Sequence, residues 1–181
     1  YWFCTQEPSA SVSGCSIMNN EGEIRMGSSG TGNNTRLRFY NPNGEVGAIR
    51  VNGSATTYNT SSDYRLKENQ VAISDGITRL KTLKPYKFNF KVDPTTTVDG
   101  FFAHEVTPSV PEAITGTKDE TEDILYKKND TIPSGKSIGD VKETVPKYQS
   151  IDQSKLVPLL TAALQEAITK IETLETKVAA L

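Results

Sequence analysis

"VPLLTAALQEAITKIETLETKVAAL", Val157 to Leu181, decides the fold of the last part of this chain. Val157, Leu164, Ile171 and Val178 recur at intervals of seven residues. Leu160, Ala167, Leu174 and Leu181 recur at the same interval, offset by three. This is an a/d pattern held over nearly four heptads, with Ala167 its weakest member. Ala, Leu, Gln, Glu and Lys supply helix propensity. Pro158 falls in the first turn, where its missing N–H is tolerated. The spacing predicts a long helix over 155–181. A helix docked on its own domain uses a broad apolar stripe, whereas a strict seven-residue repeat gives a narrow seam that suits a coiled coil. These residues alone leave two or three strands open.

Upstream of the helix, residues 116–150 are polar and rich in Gly, Pro, Asp and Lys. They read as an extended excursion, a hairpin or arm, or else an ordinary long surface loop. Residues 61–115 are more globular. Ser74 and Asp75 are placed to cap a helix carrying Ile77, Leu80 and Leu83, which Pro85 stops. "YKFNFKV" alternates strictly and predicts a half-buried strand. "GFFAHEV" predicts a second apolar strand after a turn at Asp99-Gly100, and "VPEAI" the start of a short helix.

Residues 1–60 are rich in Gly, Asn, Ser and Thr. "EIRMG", "TRLRFYN" and "EVGAIRVNG" alternate between turn residues such as Pro42-Asn43-Gly44 and read as short strands. Their apolar faces are too thin for a stable monomeric sandwich, so such strands need neighbouring chains to bury them. The chain has 181 residues and a net charge of −2, with Lys and Arg spread among acidic residues. No basic stripe marks a nucleic-acid partner. No apolar run approaches membrane-spanning length, and nothing resembles a signal peptide. The opening "YWFCTQEP", without an initiator Met, is expected to be the C-terminal piece of something longer. Cys4 and Cys15 can form a disulfide or remain two buried thiols. Two Cys and one His, without a CxxC spacing, leave no expected metal site or cofactor.

"TSSDYRLKENQ", Thr60 to Gln70, carries the candidate chemistry. On its own it reads as a capped turn with a solvated face. It also holds a serine five residues before a lysine, Ser62 and Lys67. A serine hydroxyl needs a base, and the only His, His104, is remote in sequence. A Ser-Lys dyad is the other solution, if the chain turns the amine back onto the hydroxyl. The amine must then be neutral, against a free value of about 10.4, which calls for burial or nearby cations such as Arg65. Asn69, Arg65 or backbone N–H groups are candidates to stabilise an oxyanion. Asp63 would position Arg65 or cap the turn.

The stretch is similar to the signature opening the endosialidase-type C-terminal intramolecular chaperone domain of phage tail fibres, tailspikes and neck appendages. That pattern reads roughly Ser-Asp-x-Arg-x-Lys-x-Asn, present here as Ser62, Asp63, Arg65, Lys67 and Asn69. "LKPYKFNF" resembles the family's next strand. "GFFAHEV" resembles its Gly-Phe-x-Ala-(His or Gln)-Glu segment, at Gly100, Phe101, Ala103, His104 and Glu105. "IDQSKLVPLLTAALQEAITKIETLETKV" resembles its closing helix, with Leu156, Pro158, Leu159 and Glu166 at matching places. Gln70 departs from a usually apolar position, and the 116–150 arm has no recognisable counterpart.

The resemblance implies an α+β chain. Residues 1–61 would be the end of a β-rich, intertwined trimeric fibre segment. Residues 62–181 would be a chaperone domain, with an arm at 116–150 and a trimeric coiled-coil helix at 155–181. The domain would form a homotrimer, align the upstream fibre segments and cut itself off between Ser61 and Ser62. Ser62 would be the nucleophile and Lys67 the base of a single-turnover serine endopeptidase acting in cis. His104 and Glu105 would orient Lys67 or the carbonyl; otherwise they are a partly buried histidine and a rim charge. The fibre would assemble in the host cytoplasm and reach the virion, and the released domain would not. Alternatives are a non-cleaving trimeric fibre tip and a tip binding a host surface receptor.

Overall fold

The computed structural model describes residues 13–18 and 23–181. Its compact units divide between Gln70 and Val71. Cys4 and Trp2 lie outside the described residues, so the question of the cysteine pair does too; Cys15 is half-buried in the first strand.

The first unit is built of antiparallel strands. Strands β1 (Gly14–Met18) and β2 (Glu23–Gly27) pair as a hairpin. Strands β3 (Asn34–Asn41), β4 (Gly44–Asn52) and β5 (Ala55–Thr60) form a three-stranded meander with β4 at its centre. The predicted turn before Gly44 is present: the Asn41 side chain accepts from the Asn43 N–H at 2.8 Å, and Gly44 takes φ +102°. Among the described residues of this unit only Ala48 is buried, at 3 % exposure. Tyr58 is 80 % exposed, and Phe39 and Tyr40 are exposed as well. So thin a sheet has little core of its own, as its short alternating runs predict.

The second unit does have a core. Helix α1 (Gly76–Leu80) leads to the hairpin of β6 (Tyr86–Phe90) and β7 (Asp93–Gly100). A one-turn helix α2 (Ala103–Val106) follows, then a 3-10 turn at Pro111–Ala113 where "VPEAI" predicts a short helix. The two-residue strands β8 (Ile114–Thr115) and β11 (Ser150–Ile151) pair with each other. Between them β9 (Thr121–Leu125) and β10 (Val141–Pro146) make an antiparallel hairpin, so the 116–150 excursion is a hairpin. A 3-10 turn at Gln153–Leu156 opens helix α3 (Val157–Ala179). Val106, Val110, Ala113, Leu156 and Leu159 form the core, flanked by Leu83, Phe101, Ile114 and Ile151.

Three local expectations need correction. "GFFAHEV" is not a strand: Ala103 to Val106 turn as a helix. Val106 and Val110, four residues apart, are both 1 % exposed, so helical spacing rather than alternation fills the core here. The turn is not at Asp99-Gly100, because β7 runs through both; it falls between Phe90 and Asp93. Gly100 serves close packing instead, since a Cβ there would lie 3.0 Å from the Phe88 ring. Asp75 does occupy the N-cap of α1, but its side chain makes no capping bond. Glu166 of α3 takes that role, accepting from the Ile77 N–H at 3.0 Å. A Cβ on Gly76 would lie 2.6 Å from the Ala163 backbone nitrogen, so glycine is what lets α1 sit against α3.

Helix α3 is docked and open at once. Leu159 and Ala163 are buried. The heptad positions Val157, Leu160, Leu164, Ile171, Leu174 and Val178 are 46–67 % exposed. The heptad seam is thus largely uncovered in the single chain. The molecule is mixed α+β, with short strands and a C-terminal helix. Among the described residues no helix is long and apolar enough to cross a membrane.

Candidate functional site

The candidate site begins where β5 ends. Ser61 continues the β4–β5 ladder by one residue: its N–H donates to the Val46 carbonyl at 3.2 Å. Its hydroxyl donates to the Glu45 carbonyl at 2.7 Å. The chain then leaves the sheet, and Asp63 caps a 3-10 turn at Tyr64–Leu66. The Asp63 carboxylate accepts from the Arg65 N–H at 2.8 Å, from Arg65 Nε at 2.9 Å and from Arg65 Nη2 at 2.7 Å. Leu66 and Lys67 close the turn with N–H bonds to the Asp63 and Tyr64 carbonyls, both 3.1 Å. Asp63 therefore both caps the turn and grips Arg65. The Arg65 side-chain and backbone donors hold its carboxyl below the usual carboxylate range, and Asp63 raises the guanidinium in return.

The turn sends Lys67 back along the chain. Its backbone is extended, with φ −128° and ψ 141°, and Nζ lies 2.7 Å from Ser62 Oγ. An ammonium donates in this contact. With a neutral amine the same contact runs the other way, the hydroxyl donating to nitrogen, which is the arrangement that starts proton abstraction. Both side chains are exposed in the single chain. Asn69 takes a left-handed φ of +54°, one of the few conformations in which Asn replaces Gly readily. The forked pair with Asp63 occupies Arg65 and offsets its charge near the amine.

His104 and Glu105 belong to α2 in the second unit. Glu105 Oε1 accepts from Lys84 Nζ at 3.0 Å, and the Glu105 side chain is 21 % exposed. The Lys84 hydrogen bond holds the carboxyl below its ordinary range; Glu105 raises Lys84 and the Tyr86 phenol in return. The His104 ring stacks on Phe102 with centroids 6.1 Å apart, at the edge of an aromatic cleft of about 710 Å³ that also takes in Phe88, Phe90 and Tyr148. Sequence reading missed Lys84 and Tyr86 as the neighbours of Glu105. It also missed the β4 carbonyls that hold Ser61, which no side-chain pattern reports. Among the described residues no group of three or more His, Cys, Asp or Glu side chains is placed to hold a metal ion.

A thin antiparallel sheet runs through a serine-lysine turn into a small α+β unit closed by a seamed helix. Residues 62–115 match the family model described as the chaperone of endosialidase. This segment is an endosialidase-type intramolecular chaperone domain, of a family of self-cleaving peptidase domains. The match opens at Ser62 and runs through α1, β6, β7 and α2, ending before the β9–β10 hairpin. No curated protein matches the chain.

Proposed function

We propose that the chain is the end of a phage tail fibre or tailspike that carries its own folding template and removes it by autoproteolysis between Ser61 and Ser62. The observation that carries this reading is the 2.7 Å contact between Lys67 Nζ and Ser62 Oγ at the first residues of the family match. Three copies associate through the exposed seam of α3. Pairing strands between chains is slow and prone to misregister, and a preassembled trimer raises the local concentration of the strands it must align. The uncovered first unit is the part that gains from such help.

The chemistry runs in two steps. Lys67 Nζ takes the Ser62 hydroxyl proton as Oγ bonds to the Ser61 carbonyl carbon. The C–N bond of Ser61–Ser62 then breaks, and the proton passes to the leaving Ser62 amine. Asn69, Arg65 or backbone N–H groups steady the oxyanion between these events. Water hydrolyses the resulting ester, leaving a Ser61 carboxylate and a restored Ser62 hydroxyl. A lysine works as a base only when its surroundings favour the neutral amine, and desolvation does that. Neighbouring chains supply the cover in this reading, so assembly precedes cleavage. Release removes the template, and the mature fibre is then kinetically trapped in its fold. The fibre part stays with the virion, and a host surface receptor is the partner this reading gives it.

Intact mass under denaturing conditions after incubation tests this. The expected products are Tyr1–Ser61 and Ser62–Leu181. An assembled chain that stays whole would instead favour a non-cleaving trimeric fibre tip.

A further inference from the structure

Ser61 is held from one side by the sheet, while Ser62 on the other meets the amine of Lys67, the residue that ends the 3-10 turn. Thr60 pairs with Gly47 at the end of the β4–β5 ladder, and Ser61 adds two more bonds to β4, one from its N–H and one from its hydroxyl. The strands approach closely there: a Cβ on Gly47 would lie 2.9 Å from the Asn59 carbonyl oxygen. The acceptor end is fixed as well. The Glu45 carboxylate binds Arg38 at 2.6 Å and Arg50 at 3.1 Å, with the Tyr40 hydroxyl at 3.3 Å. The hydroxyl of Ser61 therefore hangs on the carbonyl of an anchored strand residue.

We infer that the Ser61 hydroxyl is a positioning group: it latches the acyl side of the scissile bond to β4, so that cleavage runs only where β4 and β5 are paired. This rests on the reading that the chain is cut between Ser61 and Ser62. Attack requires Ser62 Oγ to meet the Ser61 carbonyl carbon along a narrow approach. The turn fixes Lys67, whose amine meets Ser62 Oγ, but it does nothing for the torsions of Ser61. Two hydrogen bonds from Ser61 to successive residues of β4 restrict those torsions. With β5 unpaired, the carbonyl samples many orientations and few are productive. The latch adds no atom to the reaction: the bond formed is still Oγ–C, the bond broken is still C–N, and the proton still travels through Lys67. It makes the cleavage rate a readout of upstream sheet formation.

The test compares Ser61→Ala and Ser61→Thr with the parent, following fragment appearance by intact mass on material of matched oligomeric state and melting temperature. Ser61→Ala keeps the N–H bond to Val46 and loses only the hydroxyl bond. It is expected to slow cleavage about five- to tenfold, the range set by one net hydrogen bond. Ser61→Thr restores the donor and recovers most of the lost rate. Cleavage of Ser61→Ala at the parent rate overturns the latch, and so does Ser61→Thr as slow as Ser61→Ala. A Ser62→Ala control separates the claims. A parent that stays whole defeats the cleavage-site reading itself. A parent that is cut while Ser62→Ala stays whole leaves the latch as the only idea on trial.

Discussion

The two units of this chain solve the burial problem differently. Among its described residues the first buries one side chain, Ala48 on the central strand of a three-stranded sheet. The second gathers Val106, Val110, Ala113, Leu156 and Leu159 from α2, its following turns, the 3-10 turn before α3 and the start of α3. Fixing a residue costs about 1–2 kcal/mol of conformational entropy, which one buried side chain among the described residues does not offset. In the proposed function the second unit, with its own core, is the template, and the first is the part it aligns.

The largest effects expected from breaking this contrast lie in the second unit. Leu159→Ala should destabilise it by about 2–5 kcal/mol in chemical denaturation. Gly76→Ala should lower its melting temperature as well, because the added methyl has only the α3 backbone to meet. The matching change in the first unit, Tyr58→Ala, should move a dissociated single chain by less than about 0.5 kcal/mol, as an exposed substitution does. A large effect there would contradict the picture of an uncored sheet.

An intermediate effect is expected along α3. Leu164→Asp and Ile171→Asp alter exposed seam positions and leave Leu159 and Ala163 in place. Circular dichroism should show the second unit still folded, while sedimentation shows loss of self-association. Unchanged association would mean that the chain assembles through another surface.

The smallest effect concerns acid. Glu166 is held below its ordinary value of 4.5, chiefly by the Ile77 N–H and then by Lys170; Glu105 is held below the same value, chiefly by Lys84. A depressed carboxylate contributes stability that is present above its unfolded value and is lost as pH falls through the folded one. The second unit should therefore lose melting temperature only below about pH 4.5, and Glu166→Gln should shrink that loss. A fall in melting temperature between pH 7 and pH 5 would point to other groups.

The sequence made the periodic parts legible. The heptads of α3, the strand at Tyr86, the three upstream runs and the turn before Gly44 all carry a strong local signal. What it did not make legible depends on tertiary packing. The polar strand Asp93–Gly100 has no apolar alternation and is held by pairing with β6. The helix at Ala103–Val106 is one turn long, too short for periodicity to identify. The cap on α1 comes from Glu166, 89 residues away from Ile77. At the candidate site, spacing suggested that Lys67 could fold back to Ser62. The residue types also offered Asp63 as a partner for Arg65 or a cap of the turn, and it is both; the β4 carbonyls that hold Ser61 leave no side-chain signal, because they depend on strand pairing.

The most direct test of the central claim is denaturing intact mass of the assembled chain beside Ser62→Ala and Lys67→Ala. The account predicts two fragments meeting at Ser61 and Ser62 from the parent, and whole chains from both variants. Fragments from Lys67→Ala at the parent rate would contradict it, because the 2.7 Å contact would then have no part in the chemistry.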